Sequence, residues 1–598
     1  MNNRFSEEEM EDTHNQNEPT TQEVPAQNGG LRTMPFIIVN ESFERVASLG
    51  LMPNMILYLI NGYHMDSATG TSILGLWSSL SNFLSILGAF ISDSYLGRFR
   101  VIILGSTFSL VGMTMLWLTA MIPQAKPAPC NSSQSSCRTS TFGQLALLLS
   151  SLIFISIGAG CIRPCSIAFG ADQLVKKDSP EKNERVLESY FNWYYASIGL
   201  SSIIALTVIV YIQDHLGWQV GFGIPAALML LSALCFLVGS SLYVKVKAHK
   251  SLLTGLAQVF VAAFKNRHLS PPIENSDGYH CKDSYLVAPS EKLRFLNKAC
   301  IIRNPEEDFN YDGSVSNPWE LCTIDQVEEL KALVRILPIW STGIMIYVTL
   351  NQSSFTVLQA NSMDRHITSK FQIPAGSFTL FTVLSVTIWV ALYDQVVIPI
   401  VGKYTGQARG INPTLRMGIG LVISCLAMAL AAIVESIRRK TAIQEGFADH
   451  PKSIINMSAM WLIPQFALTG LAEGFNAVGQ IEFYFSQLPK SMSSLAMAIF
   501  TLGTAFAGLL GSLIITIVNN VTKNGENVSW LSTNLNKGHY DYYYGLLTFL
   551  SLLNFVYFLV CCRVYGPCEH VGAQVSNESD ELKGLLSESS KFPSTSSA

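Results

Sequence analysis

The sequence predicts an all-α membrane protein of twelve transmembrane helices in two six-helix bundles. Three observations carry this. Only 14% of the 598 residues are charged, against roughly 25% in average soluble chains. The apolar residues gather in about twelve runs, each near the ~20 residues needed to cross ~30 Å of hydrocarbon. One long polar stretch between the sixth and seventh runs divides them six plus six. The runs are continuous rather than alternating, which excludes a β-barrel. A net charge of −4 offers no hold for nucleic acid, and 12 cysteines are too sparse for a disulfide scaffold.

In chain order the runs fall at 35–61, 71–92, 101–122, 142–170, 188–212, 217–243, 329–351, 376–397, 413–435, 456–483, 494–519 and 540–562. Five regions follow. Residues 1–33 are polar and acidic, without the apolar core of a secretory signal, and are expected to be a disordered cytosolic tail. An N-terminal bundle occupies 34–245 and a C-terminal bundle 329–563, joined by a cytosolic linker at 246–328. A Ser- and Glu-rich tail, 564–598, ends the chain. In the linker, Leu252, Leu253, Leu256, Val259, Phe260, Ala263 and Phe264 recur at helical spacing, followed by Lys265 and Arg267. They predict an amphipathic helix that lies along the inner leaflet or packs on the bundles.

Orientation follows from Lys and Arg in the short loops. Arg98 and Arg100, the cluster Lys176, Lys177, Lys182 and Arg185, and then Lys403, Arg409 and Arg416 place both termini in the cytosol. The loop 436–455 dissents, with Arg438, Arg439, Lys440 and Lys452 on the outer side. Asn131, Asn520 and Asn527 begin glycosylation tripeptides in loops assigned outside. Cys130 and Cys137 share the first of these loops and either pair in an oxidising compartment or remain free thiols.

The chemistry concentrates in a few charges where charge is costly. The first run holds Glu41, Glu44 and Arg45, and spacings of three and four place them on one helical face. Such groups cost several kcal/mol in a span unless they pair or face water. One arginine neutralises one carboxylate, so the other stays charged in a poorly solvated site or takes a proton. That is a proton-coupling site; the alternative is a satisfied ion network that only orders helices. Arg163 in run four and Glu473 in run ten form a second pair, one in each half. They can bridge the halves as a gate or a static pair, and Arg163 can instead bind an anionic substrate. Asp93, Gly97, Arg98 and Arg100 at the end of run two form a conformational latch, or merely a topogenic and capping cluster, with Gly97 permitting a tight turn.

No enzyme signature is present. There is no GxxxxGK[ST] loop, no HExxH and no paired CxxC. Cys161 with Cys165, and Cys561 with Cys562, lack histidine partners, so no metal and no cofactor beyond the coupling proton is expected.

These motifs together resemble the proton-coupled oligopeptide transporter family. Glu41-Ser-Phe-Glu44-Arg45 is similar to its ExxER motif, GAFISDSYLGRFR (88–100) to its span-two signature, and YFNWYYASIG (190–199) to its span-five signature. IRPCSIAFGADQ (162–173), PWELCTIDQVEELKALVRILPIW (318–340) and GQIEFYFSQLPKSMSS (479–494) resemble the plant nitrate/peptide branch. The likeness runs from about 34 to 565. It implies the major facilitator fold, a site between the bundles and alternating access. It also implies proton symport with Glu41, Glu44 and Arg45 as coupling residues, Arg163–Glu473 as the interbundle pair, and the plasma membrane as location.

Departures from the family pattern bear on substrate. Microbial peptide carriers place a Glu where Asn351 stands, and some nitrate carriers a His where Leu350 stands. The span-five Asn is also missing, since Ile198 is followed by Gly199. With Arg45 and Arg163 as its cations, and Tyr347, Leu350, Asn351 and Gln352 from span seven, the site is expected to take a small anion, nitrate foremost. The alternatives are an organic anion, a hormone such as gibberellin or abscisic acid, or a di/tripeptide. A nitrate sensor without transport is the alternative of another class. The expected partners are the substrate, protons and the lipid bilayer.

Overall fold

The computed structural model describes residues 29–128, 139–174, 180–245, 252–270, 278–281, 288–311, 314–405, 410–489, 492–523 and 528–565. Asn131, Asn527, Cys130 and Cys137 lie outside them, as do 1–28 and 566–598. Ten described stretches are long and apolar enough to cross a membrane. Two further long helices, Met34–Tyr63 and Ile463–Gln487, complete the dozen. They are the spans that carry Glu41, Glu44, Arg45 and Glu473.

The sequence explains where these helices break. The first span starts with proline in its opening turn, where a missing N–H costs nothing, and ends at His64 in the left-handed conformation. The seventh opens with a capping box: Thr323 accepts from the Gln326 amide and the Gln326 side chain returns to the Thr323 amide. It then runs in three pieces, Ile324–Thr342, Ile344–Leu350 and Ser353–Ser362. Discontinuous helices near the midplane line substrate paths in transporters. The second break falls at Asn351 and Gln352.

The two halves meet at the end away from the chain termini. There Ser377 donates to the Leu206 carbonyl at 2.8 Å, Ser512 to the Ser72 carbonyl at 3.1 Å, and the Ser67 amide to Thr533. Arg365 reaches Asp214 at 3.4 Å. The Gly376 backbone lies so close to span one that an added Cβ would sit 2.4 Å from the Asn54 side-chain oxygen and 2.9 Å from Pro53 Cβ, so a larger residue there would displace Asn54.

Two expectations need correction. Residues 29–33 are not part of a free tail: the Gly29 and Gly30 amides bond to the Leu242 and Gln173 carbonyls, which ties the entry of span one to the ends of spans six and four. The dissenting loop 436–455 is also partly helix, because span nine extends as Pro413–Gln444. Arg438 is fully buried and holds Glu435 at 2.7 Å, Asn536 at 2.9 Å and the Leu535 carbonyl at 3.1 Å. Arg439 donates to the Gly538 carbonyl. These cations serve a buried network rather than reporting orientation. Asn520 is exposed in the last turn of Ser493–Thr522.

In the linker, Leu252–Lys265 is helical as expected. Val259, Ala262 and Ala263 pack against Leu296, Cys300 and Val327. Its C-terminal end is pinned by Asn266, which donates to the Lys298 and Glu320 carbonyls, and by Lys265, 3.2 Å from Glu320.

Candidate functional site

The first span brings Glu41 and Glu44 to the inside of the N-terminal bundle, where their side chains are 1% and 0% exposed. Asn40 fixes the span's rotation by donating to Ser232 at 2.8 Å and accepting from it through its carbonyl. Arg45, one turn on, lies 3.5 Å from Glu41. Glu44 is met by Arg163 of span four at 3.6 Å and accepts from Ser48 at 2.5 Å.

Each carboxylate thus has its own arginine. The expectation that one of them would lack a cation was incomplete, because Arg163 supplies the second. The reach of span four across to span one leaves no local sequence signal. Ser48, by contrast, is legible as the residue four after Glu44. One oxygen on each glutamate, Oε2, is buried without a hydrogen-bond partner. A buried, unsatisfied carboxylate oxygen is costly.

The expected Arg163–Glu473 bridge is not made in this conformation. Arg163 is engaged with Glu44, and among the described residues no ion pair joins it to Glu473. The halves touch at the far end, and these two residues belong to different halves. Arg45 and Arg163 keep 25% and 30% of their side chains exposed.

Beyond the charged cluster lies a cavity of about 240 Å³ between the halves. Leu49 and Met52 of span one and Leu350, Asn351 and Gln352 at the span-seven break line it, with Thr349, Ser353, Thr382, Gln465 and Thr469. Among the described residues no charged side chain lines it. Leu350, Asn351 and Gln352, the residues expected to meet substrate, thus line this cavity, although Gln352 is tied down by Tyr543 and the Val348 carbonyl, both at 2.8 Å. Tyr347 is displaced from the lining: it is buried edge-on to Phe500, with its hydroxyl unpartnered. The Ser/Thr lining was missed, since isolated hydroxyl residues in a span look like ordinary helix.

Part of the expected latch cluster meets, with an added partner. Gly97 turns the chain at φ 78°, which L side chains rarely adopt. Arg98 then bridges Asp93 at 3.3 Å and Asp172 of span four at 2.7 Å. Arg100 stands exposed outside it. The C-terminal half repeats the device: Arg416 of span nine meets Glu482 of span ten at 3.1 Å and stacks on Tyr393. Among the described residues no cluster of His, Cys, Asp and Glu fits a metal.

Twelve membrane-length helices among the described residues, in two halves with a hydroxyl-lined cavity between them and a buried charged cluster beside it, define a major facilitator transporter. The chain belongs to the POT family, in its NRT1/PTR branch, a family of transporters and not of enzymes. The POT family model matches residues 99–531. Protein NRT1/PTR FAMILY 1.2 of Arabidopsis thaliana is 55% identical over 92% of this chain and 91% of its own. Protein NRT1/PTR FAMILY 1.1 of the same plant is 54% identical over 94% and 95%. In fold, the chain resembles a crystal structure of an auto-inhibited POT family peptide transporter at TM-score 0.64 and 19% identity, covering 90% of this chain and 98% of the other. It also resembles the POT family transporter PepTSo at TM-score 0.65 and 18% identity, covering 90% and 99%.

Proposed function

We propose that the protein is a proton-coupled symporter of a small anion, nitrate foremost, working by alternating access with both termini in the cytosol of a plasma-membrane protein. The observation that carries this reading is the double pair Glu41–Arg45 and Glu44–Arg163, in which two carboxylates balance two partly exposed guanidiniums. An anion arriving at Arg163 competes with Glu44. A carboxylate that loses its cation in a buried site is strongly destabilised, and taking a proton relieves this. Anion and proton therefore enter together, and each stabilises the other's site.

The same swap links coupling to access. When the gap at the termini end closes, Arg163 is drawn from Glu44 towards Glu473, and protonated Glu44 can release it. The Arg98–Asp172 and Arg416–Glu482 bridges hold the helix ends of each half as rigid units during the rocking. Arg45 and Arg163 bind the anion, while Asn351 and the hydroxyl side chains supply neutral hydrogen bonds. Proton-dependent currents from a substrate panel in oocytes test this. Nitrate currents that grow on acidification are expected; no current with any anion rejects symport and leaves the sensor reading.

One observation favours a second reading. The cavity of about 240 Å³ is much larger than a four-atom anion and carries no charge in its walls. An organic anion, such as a hormone carboxylate or a small peptide, would place its carboxylate at the arginines and its body among the hydroxyl groups.

A further inference from the structure

The linker helix Leu252–Lys265 has two apolar faces, and only one is covered. Val259, Ala262 and Ala263 are buried against the linker core. At about 100° per residue, positions 260 and 264 stand roughly a quarter-turn away from 259 and 263. There Phe260 and Phe264 are 62% and 64% exposed, with exposed Ala257 beside them. Two neighbouring aromatic rings left outward on a helix whose other face is packed mark an interaction surface.

We propose that this second face docks on the cytosolic leaflet, with Phe260 and Phe264 at the headgroup–acyl boundary and Arg267 on anionic headgroups. Three features point to lipid as occupant. The first is height. Gly255 lies beside Gln326, its Cβ position 3.7 Å from the amide nitrogen. The helix shares its core with Val327 and Leu330, at the start of the run 329–351 assigned to the seventh span. The second is charge. The Arg267 guanidinium lies 4.7 Å from the Phe264 ring centre, exposed together with His268, so a cation stands at the rim of the aromatic face. Anionic inner-leaflet lipid attracts such cations. The third is rigidity. Lys265 and Asn266 pin the helix end to Glu320 and Lys298, so the aromatic face is presented already ordered, with little entropy left to lose on docking. Phe rings over a basic rim are the composition of helices that lie in the interface plane.

The test uses the full-length chain in vesicles of phosphatidylcholine, with and without phosphatidylserine. A photoreactive benzoylphenylalanine replaces Phe264, or Gln258 on the polar face as reference. Mass spectrometry should find phospholipid adducts at 264 at several times the yield at 258. Phosphatidylserine should raise the 264 yield about fivefold, the attraction of one basic side chain near an anionic surface, and Arg267→Gln should remove that rise. Equal lipid adducts at 258 and 264, adducts to peptides from 1–28 or 566–598, or a yield indifferent to phosphatidylserine would each overturn the proposal.

Discussion

Arg163 and Glu44 sit 3.6 Å apart across spans four and one, and the same glutamate oxygen accepts a hydrogen bond from Ser48. In the proposed mechanism this relationship makes Glu44 the meeting point of the proton site and the anion site. Removing Ser48 takes one donor from a buried carboxylate, and hydrogen bonds to charged groups contribute about 1.5–3 kcal/mol. Ser48→Ala should therefore cut proton-driven uptake roughly tenfold or more, while Ser48→Thr retains most of it. Equal activity of Ser48→Ala and the parent in a vesicle uptake assay would remove Ser48 from the site.

The account has Arg163 exchange between Glu44 and Glu473. A double-mutant cycle on uptake tests this: Arg163→Ala with Glu473→Ala should lose less than the sum of the single losses, by about 0.5–3 kcal/mol of coupling. Strict additivity would mean that the two never meet.

At the far end, Arg365 and Asp214 link the halves. Partly exposed pairs contribute roughly 0.2–1 kcal/mol, so either alanine variant should lower uptake less than about tenfold. The charge-reversed double variant, Asp214→Arg with Arg365→Asp, should recover much of the loss. No recovery would assign the effect to packing instead.

The Glu435–Arg438 pair is fully buried. Breaking such a pair by removing one partner costs about 3–5 kcal/mol, because the other charge is stranded. Arg438→Ala should lower the thermal unfolding midpoint of the purified protein by several degrees, whatever substrate is added. An unchanged midpoint would show that water reaches Glu435.

The linker carries a pH prediction. Arg303 and then Lys265, bonded to Glu320, hold its carboxyl below the usual carboxylate range. A carboxylate favoured in the folded state stabilises above its unfolded value, and that contribution is lost as pH falls through the lowered one. Amide protection in 252–270, taken relative to the intrinsic exchange rate at each pH, should thus be flat between about pH 5 and pH 8 and fall only in stronger acid. Loosening near neutral pH would contradict the anchoring role of Glu320.

Much of this architecture was legible in the sequence. Length and apolarity fix a span, and charges inside spans one, four and ten stood out because hydrocarbon makes them expensive. What stayed hidden was which charges meet. Arg163 lies far from Glu44 in sequence, and its partner depends on how span four is rotated against span one. Arg438 looked topogenic because a buried ion pair and a loop charge have the same composition. The cavity's threonines and serines gave no signal, since a hydroxyl in a span usually bonds its own helix. The cavity residues that were found, Leu350 and Asn351, came from the family resemblance, which places substrate-reading side chains at those positions, with Gln352 beside them.

The central claim is that Glu41 and Glu44 carry the coupling proton beside Arg45 and Arg163. The most direct measurement is nitrate-evoked current as a function of external pH in oocytes expressing Glu41→Gln or Glu44→Gln. The account predicts that acidification no longer drives uptake in either variant, while the protein still reaches the membrane. Acid-stimulated currents of undiminished size in both would contradict it.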